Sequence, residues 1–211
     1  MKRWLVICLL CLLGATTAAA DDAQFVTPLK PGSVLRGHFT QERSLQGFQA
    51  PLKSEGTFLV AEGKGVIWKV EKPFATTTVI TPAGLVQNAQ GTETLRLPAS
   101  RIPFIAKLYD MLSGTMTGDM SGLKQQFDVR TAGSASDWTL QLTPKAGQAV
   151  SSDPQNMPIR ALDIAGGQYV KSVDIQRQNG DRDLLTFTDQ AVDAAALSAD
   201  EQALLTGAKS E

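Results

Sequence analysis

Apolar and polar residues alternate through residues 54–84, which read SEGTFLVAEGKGVIWKVEKPFATTTVITPAG. A period of two is typical of β-strands, because successive side chains of a strand point to opposite faces. Gly63 and Gly65 flank a lysine at a tight turn, since glycine reaches positive φ at little cost. The pattern predicts three consecutive strands whose apolar side chains need a cover, at residues 57–61, 66–71 and 76–81.

Strand patterns continue on both sides of this stretch, and Asn179-Gly180 is the strongest hairpin signal in the chain. In the first of these strands, Leu35, Phe39 and Gln41 share one face. The whole pattern predicts a mainly β, antiparallel fold of about ten strands in sequential hairpins. The further strands are predicted at residues 33–45, 85–97 (as one or two strands), 125–131, 138–144, 159–164, 170–177 and 184–188.

Helical spacing replaces the alternation in the middle of the chain and again at its end. Ser100 is a suitable N-cap for a helix over residues 100–114, and a second short helical piece is predicted at residues 118–123. Ser198 and Glu201 form the sequence pattern of a capping box, which predicts a final helix. We expect that final helix to be loosely attached to the rest of the fold.

The first twenty residues have the organisation of an export signal. Lys2 and Arg3 precede a short apolar run at residues 4–13, and a small-residue segment at residues 17–20 precedes Asp21. The apolar run is about half the roughly 20 residues that a membrane span requires. We therefore predict a signal peptide at residues 1–20 that is cleaved before Asp21, and one domain at residues 21–211. An uncleaved anchor is the alternative.

Cysteine usage and charge restrict the chemistry of the mature chain. Both cysteines, Cys8 and Cys11, lie inside the predicted signal, so the mature chain is expected to contain no disulfide, thiol nucleophile or thiolate metal site. Cleavage leaves 18 basic and 21 acidic residues and no basic cluster, so nucleic acid is not an expected partner. His38 is the sole histidine, which excludes a metal site built from several histidines.

The sequence contains little that resembles a known catalytic motif. The segment around Lys64 lacks the spacing and the following Ser or Thr of a phosphate-binding loop. A hydrolase centred on His38 is formally possible, but no GxSxG-type elbow is present. Asp181 and Asp183 flank Arg182 after a hairpin turn, where we expect them to solvate a loop. The sequence therefore predicts that the protein is not an enzyme and needs no cofactor and no metal.

The apolar side chains of the first hairpin allow two interpretations. Phe58, Val60, Val66, Trp68 and Val70 can fill an ordinary core beneath the helices, or they can line a cavity. Periodicity alone does not distinguish a filled core from a lined cavity. A ligand-binding protein and an interaction protein with a filled core therefore both stay open.

Four short motifs occur in an order that is familiar from one family. They are Phe-Thr-Gln at residues 39–41, GVIWKVEKP at residues 65–73, Leu-Thr-Pro-Lys at residues 142–145 and a later hairpin at residues 159–188. Each motif is only moderately specific, but their order and spacing, together with the export signal, resemble those of the periplasmic lipoprotein carriers, the LolA-like proteins. The resemblance extends over residues 34–188.

The resemblance implies an incomplete, curved antiparallel β-barrel with an α-helical lid over an apolar cavity. In that family the cavity holds the acyl chains of a lipid-modified cargo in the periplasm, without covalent chemistry. The implied partners are an acylated cargo, an inner-membrane exporter and an outer-membrane acceptor, and a monomer is expected. The residues expected to line the lipid-binding cavity are Phe39, Phe58, Val60, Val66, Trp68, Val70 and Ile80 from the strands and Phe104, Ile105, Leu108 and Leu112 from the lid.

One position departs from the pattern of the family. The best-known carriers keep an arginine near the start of the first hairpin that is linked to closure of the lid. The corresponding position here is Glu62, and the nearest cation is Lys64. A different latch or a different cargo is consistent with this departure, so the cargo can be a lipoprotein, another envelope lipid or an acylated small molecule.

Overall fold

The described part of the chain is almost entirely antiparallel β-structure. The computed structural model describes residues 29–101, 124–125, 127–145, 159–193 and 196–208. These contain a short 3-10 helix at Ala99–Arg101, two α-helical residues at 124–125 and one complete α-helix, α1, at Ala199–Gly207. The strands are β1 Val34–Ser44, β2 Leu52–Ala61, β3 Gly65–Lys72, β4 Thr76–Thr81, β5 Gly84–Ala89, β6 Thr92–Pro98, β7 Phe127–Ser134, β8 Asp137–Pro144, β9 Ile159–Gly166, β10 Val170–Arg177 and β11 Arg182–Asp193.

All eleven strands belong to one sheet in the order β6-β5-β4-β3-β2-β1-β11-β10-β9-β8-β7. The first and last strands therefore lie side by side in the middle, and β6 and β7 form the two edges. The sheet is open, which confirms the predicted mainly β fold with an incomplete antiparallel barrel. The helices predicted at residues 100–114 and 118–123 fall almost wholly outside the described residues, as does the segment of residues 1–20.

The observed strands follow the predicted ones, but several are longer at their polar ends. β4 and β10 have the predicted bounds, whereas β2 begins five residues before the predicted start at residue 57. The added residues carry charges that obscure the alternation. Those charges pair across the strands: Lys53 Nζ lies 2.6 Å from Glu42 Oε1, and Lys72 Nζ lies 2.6 Å from Glu55 Oε1. Cross-strand pairing of opposite charges favours the longer strands.

The helix α1 packs over β3 and β4 on one face of the sheet, here called the helix face. Its core combines apolar strand residues with Leu197, Leu205 and Ala208 from the C-terminal segment; the strand residues are Val34, Leu59, Ala61, Ile67, Val79 and Val86. The side chain of Arg36 in β1 also reaches Glu201 in α1, with Arg36 Nη2 2.8 Å from Glu201 Oε2. The predicted capping box between Ser198 and Glu201 is present.

The expectation that this helix is loosely attached is wrong. Leu205 is only 3% exposed because it packs into the core of the helix face. The apolar residues of α1 are too few to give a clear helical period, and their partners are brought together only by the folded sheet. This attachment therefore had no strong signal in the sequence.

The opposite face is apolar across both halves of the sheet. In β8, Trp138, Leu140 and Leu142 are buried, whereas the intervening Thr139 and Gln141 are exposed. Buried residues of this half form a second cluster with Phe127, Ile159 and Leu162. A third cluster, around Leu35, Phe39 and Phe58, occupies the other half. The candidate site lies on this apolar face.

Candidate functional site

Four aromatic rings from four different strands meet on the face opposite α1, which we call the aromatic face. Phe39 in β1 stacks on Trp68 in β3 with ring centroids 3.7 Å apart. Phe58 in β2 lies 6.2 Å from Trp68 and 5.3 Å from Phe187 in β11, the second contact being edge-on. Phe187 and Trp68 also form an edge-to-face pair, with ring centroids 6.1 Å apart. The four rings form a single aromatic cluster at the centre of the sheet.

Two glycines make room for these rings. Gly56 is the cross-strand partner of Phe39, and Gly37 is the partner of Phe58. A Cβ atom added to Gly37 would lie 2.7 Å from the ring of Phe58, so that ring covers the space that a side chain would take. Strands two apart are separated by about 10 Å. Rings from β1 and β3 can therefore touch only where the strand between them presents no bulky side chain.

The seven strand residues predicted to line the cavity all lie on the aromatic face. Cross-strand partners share a face, and the register pairs Phe58 with Trp68, Val60 with Val66, and Val66 with Ile80. Phe39, Phe58 and Val66 are buried, and the other four, Val60, Trp68, Val70 and Ile80, are half-buried. The lid residues Phe104, Ile105, Leu108 and Leu112 lie outside the described residues. Lipid binding by either group stays a prediction.

Several apolar residues of this face were not found from the sequence. Phe187 belongs to the central cluster, together with Leu29 and the half-buried Tyr169, whereas Leu35 lies on the face that the sequence assigned to it. On the far half, Val173 and Ile175 pack on the second cluster. The alternation around residues 170–188 did mark these strands. What it could not show is that β11 lies next to β1, which places Phe187 beside Phe58.

Polar side chains gather on the same face near one end of the sheet, around Asp183. This carboxylate is buried, and Arg43 Nε lies 2.6 Å from its Oδ1 while Arg177 Nη2 lies 3.0 Å from its Oδ2. Gln41 Nε2 also donates to Oδ1 at 3.1 Å. Burial raises the pKa of Asp183, but the hydrogen bonds from Arg43 and Arg177 outweigh it, so the pKa lies below its ordinary value.

The expectation that Asp183 solvates a loop is therefore wrong. It lies in β11 opposite Arg43 of β1, and its partners come from the two neighbouring strands, β1 and β10. Asp181 does occupy the turn, where it accepts a hydrogen bond from the backbone nitrogen of Gln46 at 2.9 Å. In the sequence both aspartates simply flank Arg182 after a turn. Only the strand register shows that Asp183 lies in a strand and Asp181 in the turn.

Glu62, at the position where the family resemblance places an arginine, lies in the turn between β2 and β3. Its Oε2 accepts a hydrogen bond from the backbone nitrogen of Gly32 at 3.2 Å. Within the described residues this carboxylate therefore ties the chain that precedes β1 to the first hairpin. Lys64 is exposed in the same turn.

A cavity of about 520 Å³ lies beside α1 and is lined by residues that include Arg36, His38, Thr57 and Lys69. The side chain of His38 is 61% exposed, and its Nδ1 lies 3.6 Å from Asp189 Oδ2. Among the described residues that line this cavity there is no serine or cysteine, and the hydroxyl group among them is that of Thr57, a cross-strand partner of His38. Nor does any group of three or more potential metal ligands occur in the part of the chain that the structure describes.

The sequence model of the family described as outer membrane lipoprotein carrier protein LolA-like matches residues 14–208, and the chain belongs to this family. Members of this family are carrier or binding proteins rather than enzymes. Comparison with curated protein sequences finds no match. Within the ranges described above, no helix has the length and apolarity needed to cross a membrane.

Comparison with solved structures finds similarities to proteins from several bacteria. A LolA superfamily protein from Nitrosomonas europaea is 8% identical, with a TM-score of 0.42 over 82% of this chain and 91% of that chain. A putative outer membrane lipoprotein-sorting protein domain from Vibrio parahaemolyticus is 10% identical, with a TM-score of 0.35 over 84% and 93%. The Pseudomonas aeruginosa MucA/MucB complex gives 14% identity and a TM-score of 0.44 over 81% of this chain and 55% of that chain.

Proposed function

We propose that this protein is a periplasmic carrier that binds the acyl chains of a lipoprotein or another envelope lipid on its aromatic face. The observation that supports this most is the cluster of Phe39, Phe58, Trp68 and Phe187 at the centre of an apolar face. Family membership supports the same function, because the family description names a lipoprotein carrier.

The energetics of burial suit this function. Removing an acyl chain from water is worth about 0.8 kcal/mol per CH₂ group, so a sixteen-carbon chain offers on the order of 10 kcal/mol. Ordering the ligand and the protein reduces that gain considerably. Four half-buried side chains, Val60, Trp68, Val70 and Ile80, leave apolar area on this face that a ligand can cover.

In this proposal the protein is exported by the signal at residues 1–20 and works as a monomer. It accepts an acylated cargo from an inner-membrane exporter and passes it to an outer-membrane acceptor. Because Glu62 replaces the arginine of the best-known carriers, we include envelope lipids other than lipoproteins among the candidate cargoes. No covalent step and no cofactor are required.

Native mass spectrometry of the protein purified from the periplasm, followed by titration with a fluorescent fatty acid, tests the proposal. We expect copurified lipid or saturable uptake, and we expect Trp68→Glu to abolish uptake because a charge would enter the centre of the aromatic face. Lys69→Glu is the matched control, since Lys69 is the next residue, is exposed and points to the helix face. If both variants still take up the fatty acid, Trp68 is not part of the binding site.

The alternative is an envelope interaction protein whose aromatic face is a filled core. The almost complete burial of Phe39, at 1% exposure, is the observation that favours it. This alternative predicts a lipid-free mass and no response to any acyl probe. That pair of results would overturn the carrier proposal.

A further inference from the structure

The aromatic face ends in a cluster of charged side chains. Residues at even spacing along a strand share a face, so Arg43 lies on the same face of β1 as Phe39. Asp183 bears the same relation to Phe187 in β11, and the contacts described above place Arg177 beside it. The apolar centre of the sheet is thus followed, towards the end where β1 finishes, by two arginines around one buried carboxylate.

We propose that Arg43 and Arg177 bind the anionic headgroup, a carboxylate or a phosphate, of an amphiphile whose acyl chain lies on the aromatic face. This inference rests on the proposed function, because it names the class of lipid that the same site takes. It adds a chemical requirement that acyl binding alone does not impose.

The free N–H groups of the cluster favour an anion. Arg43 and Arg177 share the buried carboxylate of Asp183. Besides the hydrogen bond from the backbone of Gln46, the charge of Arg177 lowers the pKa of Asp181 in the adjacent turn. Arg43 uses only its Nε atom on Asp183, and within the described residues its two terminal nitrogens have no partner. About half of its side chain, 48%, is exposed. A guanidinium fork with free N–H groups matches the geometry of carboxylate and phosphate oxygens.

Asp183 keeps the two arginines in place. It is 3% exposed and is held from three sides by Arg43, Arg177 and Gln41. Fixing these side chains before the ligand arrives lowers the entropy cost of binding. The ligand then meets the terminal N–H groups of Arg43 on the exposed side of the cluster.

The distance from the arginines to the rings allows one amphiphile to contact both. Four residues of extended strand separate Arg43 from Phe39, which is about 13 Å along β1. A medium-length acyl chain spans this interval. Leu52, the cross-strand partner of Arg43, is 52% exposed and offers further apolar surface next to the headgroup position.

The test compares probes with one alkyl chain and different headgroups. Binding of dodecanoate, dodecyl phosphate, dodecan-1-ol and inorganic phosphate is measured by calorimetry at neutral pH. We expect dodecanoate and dodecyl phosphate to bind about tenfold or more tightly than dodecan-1-ol. This ratio of affinities is the one expected when the ligand gains a hydrogen bond between charged groups. Arg43→Gln should remove this advantage and leave dodecan-1-ol binding unchanged, and Arg43→Lys should restore part of it.

Arg182→Gln is the matched control for the loss of one positive charge. Arg182 lies at the same end of the sheet but pairs with Asp174, at 2.6 Å, so its change should leave all four affinities as they are. Unchanged dodecan-1-ol binding also shows that each variant is folded with its apolar face intact.

The outcomes separate the two proposals. Equal binding of dodecanoate and dodecan-1-ol, or an unchanged preference in Arg43→Gln, would overturn the headgroup site and leave the acyl carrier standing. Inorganic phosphate that binds as tightly as dodecyl phosphate would mark a site for free anions and would also overturn it. If no twelve-carbon probe binds at all, the carrier function itself fails.

Discussion

Phe39 and Trp68 stack with ring centroids 3.7 Å apart although their strands, β1 and β3, are not neighbours. The strand between them, β2, presents Gly56 opposite Phe39. A larger residue at this point would collide with the backbone of β3, the strand that carries Trp68. The aromatic cluster therefore depends on glycines as much as on the rings themselves.

Gly56→Ala tests this dependence. An added Cβ atom at residue 56 would lie 1.9 Å from the backbone oxygen of Lys69, and backbone cannot move aside as a flexible side chain does. We expect a loss of about 1–3 kcal/mol in the free energy of unfolding, measured by urea denaturation. Uptake of the fluorescent fatty acid should weaken in the same variant because the β2–β3 pair is displaced.

The control for this substitution is Gly207→Ala. Gly207 lies at the end of α1 and a Cβ atom there meets nothing within 4 Å, so the change should be neutral or slightly stabilising. Equal stability of the two alanine variants would show that β2 and β3 can separate at Gly56 without cost.

The fold could be predicted from local patterns to a large extent. The alternation over residues 76–81 and 170–177 gave strands with the observed bounds, and the faces assigned to Phe58, Trp68 and Ile80 agree with the register. Both results come from the period of two, which each strand carries within its own residues.

What the sequence did not reveal depends on contacts between distant segments. Phe187 joins the aromatic cluster only because β11 pairs with β1, a contact between residues about 150 positions apart in the chain. The burial of Asp183 and the attachment of α1 through Leu205 have the same origin. A single sequence contains these partners but no signal that matches them to one another.

Leu205→Ala tests the attachment of α1. Leu205 is 3% exposed, and its Cδ2 atom lies over Gly65 at the start of β3. Truncation should leave a cavity on the helix face and lower the free energy of unfolding by about 2–4 kcal/mol. Thr206→Ala, at the next and exposed position of the helix, should change it by less than about 0.5 kcal/mol. Two equal values would indicate a helix that is detached in solution.

Trp138→Phe tests the far half of the aromatic face. The side chain of Trp138 is buried, its Nε1 donates to the carbonyl oxygen of Gly167 at 2.7 Å, and its ring covers Gly166. Phenylalanine removes this hydrogen bond and part of the packed volume, so we expect a loss of about 2–3 kcal/mol in thermal or urea unfolding. Trp68→Phe, at a half-buried position, should cost clearly less, and the reverse order would contradict the described packing.

Asp183→Asn tests the buried carboxylate at the end of the aromatic face. The substitution leaves Arg43 and Arg177 facing each other without the charge that they share, which should cost about 2–4 kcal/mol in the free energy of unfolding at pH 7. Asp128→Asn, at an exposed position of β7, is the control for the loss of one negative charge and should be nearly neutral.

The cost of Asp183→Asn should also depend on pH in a definite direction. Burial raises the pKa of Asp183, but the arginine hydrogen bonds outweigh it and hold the pKa of the folded protein below its ordinary value of 3.8. A lowered carboxyl pKa contributes stability that is complete above the ordinary value and is lost as the pH falls through the folded-state value. The difference in unfolding free energy between the wild type and Asp183→Asn should therefore hold from pH 7 to about pH 5 and shrink towards pH 3. Urea titrations at these pH values measure it, and a difference that grows on acidification would contradict the ion pairs with Arg43 and Arg177.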